Sequence, residues 1–341
     1  METFQYSKIV VTRTQGLGDV VMTTPILYGL RKKFPDAKIS FVIYPNAYDL
    51  VSKLDFIDEI VVFPDKKTLK DQIKILKLMW YADLVYLIDT SHRLSVISFL
   101  SRAKKRIGLK HKRGIYLTDG IEYNKKMDSI YDPVLFAEIL KEITKINIMD
   151  TDDWNRFFVS EANAEEINKM ELLKNNNGIG SEDSYIIFSM YTANRAKDLP
   201  EYKWQNIWEK FAKISDMPIV LCGNNPKKIK FSQNVKDFSN KTNLRELGYL
   251  IKKSALVING CSLPMHIARA FDIPTIGLYG PTFFEKGAPP ENFVSISSPA
   301  YCAPCWTMYS DPCKEPFCMD MINEEIILDA LKNFLITRRL K

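Results

Sequence analysis

The sequence predicts an α/β protein built from two Rossmann-like parallel-sheet domains facing a central cleft. Three observations carry that prediction. Short, continuously apolar strands alternate with helical patterns in the first half, which is the mark of a parallel sheet covered on both faces. The alternation stops at a polar stretch between about 161 and 184, and then it restarts. Ligands of such sheets sit beyond the carboxyl ends of the strands, so both halves are expected to face the cleft.

The elements follow in order. A strand at 8–14 runs into Gly16-Leu17-Gly18, and a helix at 19–33 opens on the carboxylate of Asp19. Strands at 38–44, 59–63, 83–88 and 105–109 are interleaved with helices at 67–80, 92–102 and 132–146. The first domain is expected over 1–165, with a linker at about 166–183 that ends in Asn175-Asn176-Asn177-Gly178 and neighbouring polar residues. The second domain, 184–341, begins with the strand Tyr185–Ser189, then a helix at 201–214 and the strand Pro218–Gly223. A helix at 244–252 precedes a strand at 255–259; a helix at 264–271 precedes the strand Thr275–Gly280; a helix at 323–337 closes the chain.

At 341 residues the chain is long enough for two domains with separate cores. Its 46% hydrophobic and 26% charged content is that of a soluble globular protein and excludes a disordered one. The apolar runs are strand-length, well short of the roughly 20 residues of a membrane span, and Met1–Lys8 lacks the pattern of a signal peptide. A cytoplasmic location is expected, with peripheral contact at the inner membrane as its extension.

Net charge is +6 and unevenly spread, because Arg102, Lys104, Lys105, Arg106, Lys110, Lys112 and Arg113 fall close together. That run reads either as a solvated face or as a surface meeting phosphate or carboxylate groups of a lipid or sugar acid. It has no interleaved aromatics and no recognised module around it, so nucleic acid is not an expected partner.

The turn after the first strand is the most specific feature. Glycines let backbone N–H groups approach a ligand, and a helix N-terminus adds partial positive charge. A dinucleotide fingerprint is excluded: Val21 occupies the third small position, and the strand ending Ile43-Tyr44-Pro45 lacks the acidic residue that holds a ribose.

Together the motifs resemble glycosyltransferase family nine, the heptosyltransferase family with the GT-B fold. The resemblance rests on Gly18-Asp19 with Thr24-Pro25, on Leu87-Ile88-Asp89 through Arg93 to Arg106-Ile107-Gly108, on Lys197 in Arg195–Pro200, and on Pro264–Ala268 with Gly280-Pro281-Thr282. It implies transfer of a sugar, ADP-heptose being the favoured donor, to a cell-surface glycolipid such as the lipopolysaccharide core, with inversion and without a divalent metal. A protein O-heptosyltransferase acting on a secreted adhesin, and an inactive nucleotide-binding protein, are the alternatives.

The resemblance also assigns roles. Asp19 is the base for the acceptor hydroxyl, and Lys197 meets the departing diphosphate. Gly18 of the first domain, with Thr192, Asn225, Leu244, Ser262, Leu263, Pro264, Met265, His266 and Gly280 of the second, forms the donor site. Arg102, Lys104, Lys105 and Arg106 contact an anionic acceptor from the N-terminal domain. One departure stands out: Asn259–Leu263 carries no carboxylate where the family has an aspartate for the donor sugar, so the acceptor groups offered to a sugar hydroxyl differ.

Cys302, Cys305, Cys313 and Cys318 lie within seventeen residues and open as Cys-x-x-Cys. Four thiols at this spacing suit a tetrahedral Zn or Fe ion; free thiols and disulfides are the alternatives. The resemblance extends to this cluster, because family members that glycosylate secreted adhesins use such thiols to hold iron.

Overall fold

Ile9, Val10 and Val11 are wholly buried in β1 (Lys8–Arg13), the middle strand of a parallel sheet. Strands apolar on both faces need cover on both faces, and the intervening helices supply it. The computed structural model describes residues 5–64, 68–224, 234–288, 291–308, 313 and 316–339. The chain divides into two compact units, Met1–Ser160 and Glu161–Lys341.

In the first unit β1 is followed by α1 (Leu17–Lys33), β2 (Lys38–Ile43), the single-turn α2 (Tyr48–Val51), β3 (Glu59–Val62), α3 (Leu69–Met79), β4 (Leu84–Leu87), α4 (His92–Leu100), β5 (Lys105–Gly108) and α5 (Asp132–Thr144). The sheet order is β3-β2-β1-β4-β5, with every neighbouring pair parallel. Chain order reverses between β1 and β4, so the carboxyl ends of those two strands form the switch point where ligands of such sheets bind.

The second unit contains α6 (Ala164–Asn175), β6 (Ile186–Ser189), α7 (Glu201–Phe211), β7 (Ile219–Leu221), β8 (Val235–Asp237), α8 (Leu244–Lys253), β9 (Leu256–Gly260), α9 (Leu263–Ala270), β10 (Thr275–Tyr279), α10 (Phe284–Gly287), β11 (Phe293–Ser297) and α11 (Glu324–Arg339). Its order is β8-β7-β6-β9-β10-β11, again parallel throughout, and its switch point lies between β6 and β9. Phe188, Trp204, Trp208 and Phe211 anchor one core layer, into which α11 sends Ile327, Leu328 and Leu331.

Two expectations are corrected. The expected linker at 166–183 holds most of α6, and the division between units falls at 160/161 rather than at 165. The segment is polar because α6 is a surface helix, opened by a capping box in which Asn163 and Glu166 each bond the other's backbone N–H. Strands β8 and β11 were not expected. Each is an edge strand with exposed or half-exposed positions, which erases the apolar run that marks an interior strand.

Candidate active site

In the first unit the site is built on the turn between β1 and α1. Gly16 caps α1 with φ +61°, and a Cβ placed there would lie 2.2 Å from Asp19 Oδ2. Glycine at this position is what lets the Asp19 carboxylate fold back over the turn. Asp19 is the third residue of α1 rather than its cap, in the first turn, where the helix dipole favours the ionised form. The Thr24-Pro25 pair has a local reason: Pro25 has no N–H for the Val21 carbonyl, and the Thr24 hydroxyl donates to that carbonyl at 2.7 Å.

Arg13 closes β1 and is almost fully buried. Its Nη2 lies 3.2 Å from Asp19 Oδ1 and 3.1 Å from Asp132 Oδ2, its Nη1 donates to the Ile88 carbonyl, and its guanidinium stands 5.2 Å from the Phe136 ring centre. Burial alone would lower the Arg13 pKa, but Asp19 and Asp132 outweigh it and raise it. At the end of β4 the buried Asp89 accepts from Ser91 N at 2.8 Å, and Thr90 Oγ1 donates to Gln15 Oε1. Two carboxylates flank Arg13, yet the side chain of Asp19 is 33% exposed and that of Asp132 2%. Asp19 is therefore the one able to meet a ligand.

In the second unit Lys197 sits in the turn after β6, whose Asn194 side chain accepts from Ala196 N. Thr192 N donates to Asp198 Oδ1 at 2.7 Å, and burial raises the Asp198 pKa. Lys197 Nζ donates to the Cys261 carbonyl at 3.0 Å and lies 5.6 Å from the Trp306 ring centre. A Cβ at Gly260 would come within 2.6 Å of the Lys197 carbonyl, so glycine lets this turn rest on the end of β9. Ser262 precedes α9, but its hydroxyl donates to the Gly260 carbonyl, leaving the N–H groups of Leu263 and Met265 without a side-chain cap. An ammonium and a helix N-terminus thus meet at the β6/β9 switch point, a combination suited to phosphate.

Several expected residues are placed elsewhere. Met265 is fully buried with its Sδ accepting from Tyr279 Oη, and His266 is 4% exposed, so both side chains belong to the packing beneath α9. Gly280 makes room for Met319 and Cys318, whose sulfurs would lie 2.5 and 2.8 Å from a Cβ. Leu244 is the half-buried first residue of α8, while Asn225 lies outside the described residues. Gly18 lies inside α1, and the conformational demand falls on Gly16 instead.

The basic run is also displaced. Lys105 pairs with Leu84 at the amino end of β4, and Gly108 with Leu87 at its carboxyl end. Arg102, Lys104, Lys105 and Arg106 therefore stand at the opposite edge of the sheet from Asp19. Lys104 pairs with Asp83 at 2.7 Å; Arg106 donates to the Ala103 and Tyr116 carbonyls; Arg113 is buried against the Leu87 and Leu109 carbonyls.

All four clustered cysteines are unbridged; Cys302, Cys305 and Cys313 are exposed and Cys318 is buried. Burial, together with the neighbouring thiols, pushes the Cys305 and Cys318 pKa values up. Among the described residues no three His, Cys, Asp or Glu side chains form a group able to hold a metal. As placed, the four thiols do not fit one.

Arg13, Asp132 and Asp198 were not singled out from the sequence. A charge closing an otherwise apolar strand was the available signal for Arg13.

The model of glycosyltransferase family 9 (heptosyltransferase) matches residues 76–311. Lipooligosaccharide heptosyltransferase 2 of Campylobacter jejuni is 23% identical over 96% of this chain and 98% of its own. The crystal structure of a family 9 glycosyl transferase from Veillonella parvula superposes with a TM-score of 0.80 at 20% identity, covering 99% of both chains. The ADP-heptose lps heptosyltransferase II of E. coli gives 0.73 at 17%, covering 97% of this chain and 99% of that one. These likenesses carry the GT-B fold class.

Proposed function

Because the chain belongs to glycosyltransferase family 9, the heptosyltransferase family, we propose that it moves heptose from ADP-heptose to a cell-surface glycolipid such as the lipopolysaccharide core, with inversion. One observation carries the reading: a partly exposed Asp19 carboxylate is held by a buried arginine at the switch point of its sheet. The heptosyltransferases of C. jejuni and E. coli named above support the donor and the acceptor class.

Asp19 takes the proton of the acceptor hydroxyl as the new bond to the sugar carbon forms and the bond to the diphosphate breaks. With Arg13 beside it and the helix dipole behind it, Asp19 is a weak base, so the proton moves late in the displacement. In the second unit Lys197 and the N–H groups of Leu263 and Met265 take up the charge of the leaving diphosphate. We place the enzyme in the cytoplasm.

Incubation with a panel of nucleotide sugars, following nucleoside diphosphate release, tests the proposal. ADP-heptose should be turned over fastest. Binding without release from any donor would leave a nucleotide-binding protein instead. Deleting the gene should strip outer saccharides from the glycolipid; an intact glycolipid and an adhesin that has lost heptose would make the acceptor a protein.

The four-thiol segment carries a second reading. The Cys-x-x-Cys opening and the close spacing of Cys302, Cys305, Cys313 and Cys318 support a structural Zn or Fe, although their described placement does not gather them around one. About one metal per chain, with loss of thermal stability on chelation, is then expected. Four titratable thiols and no metal would refute it.

A further inference from the structure

Several exposed apolar side chains of the first unit lie on α3, on α4 and in the turn at 114–116. Leu69 is 72% exposed and Leu100 56%, and Ile73, Phe99 and Ile115 are also exposed. Between α3 and α4 runs a groove of about 520 Å³ lined by Leu69, Ile73, Leu76, Val96, Ile97 and Leu100. On α3 the positions Leu69, Ile73 and Leu76 form one stripe, and Lys70, Lys74 and Lys77 form the stripe beside it. Residues 69–116 hold eleven Lys and Arg against three Asp, a formal +8 that exceeds the +6 of the whole chain.

Little on the protein neutralises this charge. Asp71, the one acid on α3, is bonded by the hydroxyl and N–H of Thr68, and Asp83 is taken by Lys104. Lys70, Lys74, Lys77, Arg93 and Arg102 form no salt bridge among the described residues. Two copies of this surface would set like charges against each other, and its aliphatic stripe offers bases nothing to stack on. The complement that satisfies both features is apolar beneath and anionic on top.

We propose that the α3–α4 face docks on an anionic phospholipid bilayer, with the leucine and isoleucine stripe entering the headgroup boundary and the flanking lysines and arginines meeting lipid phosphates. No helix among the described residues is long and apolar enough to cross a membrane, so attachment through this face is reversible and salt-sensitive. The basic run expected to hold the acceptor sugar then faces lipid instead, at the sheet edge where β5 places it. This inference holds whichever sugar is transferred.

The test is sedimentation of the full chain with vesicles of phosphatidylcholine alone or mixed with phosphatidylglycerol. The protein should pellet with the mixed vesicles only, and less as salt rises. Lys70→Gln/Lys74→Gln/Lys77→Gln should weaken binding about a hundredfold, at about fivefold per cation. Ile73→Ser/Leu100→Ser should lose most of the bound fraction at any salt. Both variants should keep the parent's thermal midpoint and nucleotide-sugar turnover, since neither touches Arg13, Asp19 or Lys197. Equal binding to the two vesicle types, binding to neither, or variants binding like the parent would overturn the proposal. So would a lipid-free dimer that Ile73→Ser/Leu100→Ser converts to monomer, which would assign the face to a second copy of the chain.

Discussion

Arg13 Nη2 lies 3.2 Å from the Asp19 carboxylate and 3.1 Å from that of Asp132, so one buried guanidinium holds two acids at the end of β1. The pairing orients Asp19 over Gly16. Removing Arg13 would leave the buried Asp132 charge uncompensated, and for that reason the predictions act on Asp19 and its turn instead.

Asp19→Asn should keep the fold and the affinity for nucleoside diphosphate while lowering turnover at least about a hundredfold, the scale of a lost general base. The amide preserves the size of the side chain, so the comparison isolates proton transfer. Near-parental turnover in a steady-state assay would remove Asp19 from the mechanism.

Gly16→Ala tests the same carboxylate through its support. The new methyl would stand 2.2 Å from the present place of Asp19 Oδ2, and φ is +61°. Stability should fall by about 1–2 kcal/mol from the left-handed conformation, seen in denaturant midpoints. Turnover should fall at least about tenfold because Asp19 must move, the range assigned to one positioned acid or base being larger still. A stability loss with turnover intact would separate the two roles.

Lys197→Ala should weaken nucleoside diphosphate binding by about 1.5–3 kcal/mol, the range for a charge-assisted hydrogen bond. Calorimetry at low and moderate salt would reveal it. Unchanged affinity would mean that the lysine serves only to anchor its turn on the Cys261 carbonyl.

Glu166 carries the clearest pH signature of the second unit. The Arg245 guanidinium, assisted by Asn163 N and the Asn243 amide, draws its pKa down to about 2 despite the opposing effect of partial burial. A carboxyl lowered on folding stabilises at pH above its ordinary value of about 4.5, and that contribution is lost as pH falls toward 2. Glu166→Gln should cost about 1–3 kcal/mol at neutral pH and flatten the thermal midpoint between about pH 5 and 2. Parallel pH profiles for the two proteins would show that the pair does not stabilise the fold.

Much of the molecule is legible in one dimension. Interior strands such as β1, β4, β6 and β9 are buried on both faces, and their apolar runs say so directly. The turn carrying Asp19 and the turn carrying Lys197 are local features whose glycines and polar residues announce themselves in the sequence. Edge strands β8 and β11 are not legible, because half their side chains meet water. Helix α6 resembles a linker because the bonds that make it a helix are a polar capping box and salt bridges to α8, as between Lys169 and Glu246.

By itself the sequence determined the two parallel-sheet units, the family, and the turn at the switch point of each sheet. Only the tertiary structure decided which residues reach those points. Parallel register set Lys105 level with the start of β4, carrying the basic run to the edge opposite Asp19. Packing of α9 on its sheet buried Met265 and His266, one turn beyond the half-buried Ser262. Arg13 entered the site because a charge closing a buried strand must find its partners among groups brought to it from far along the chain, here Asp132 of α5. Local periodicity records whether a residue is buried; pairing between distant segments decides against what.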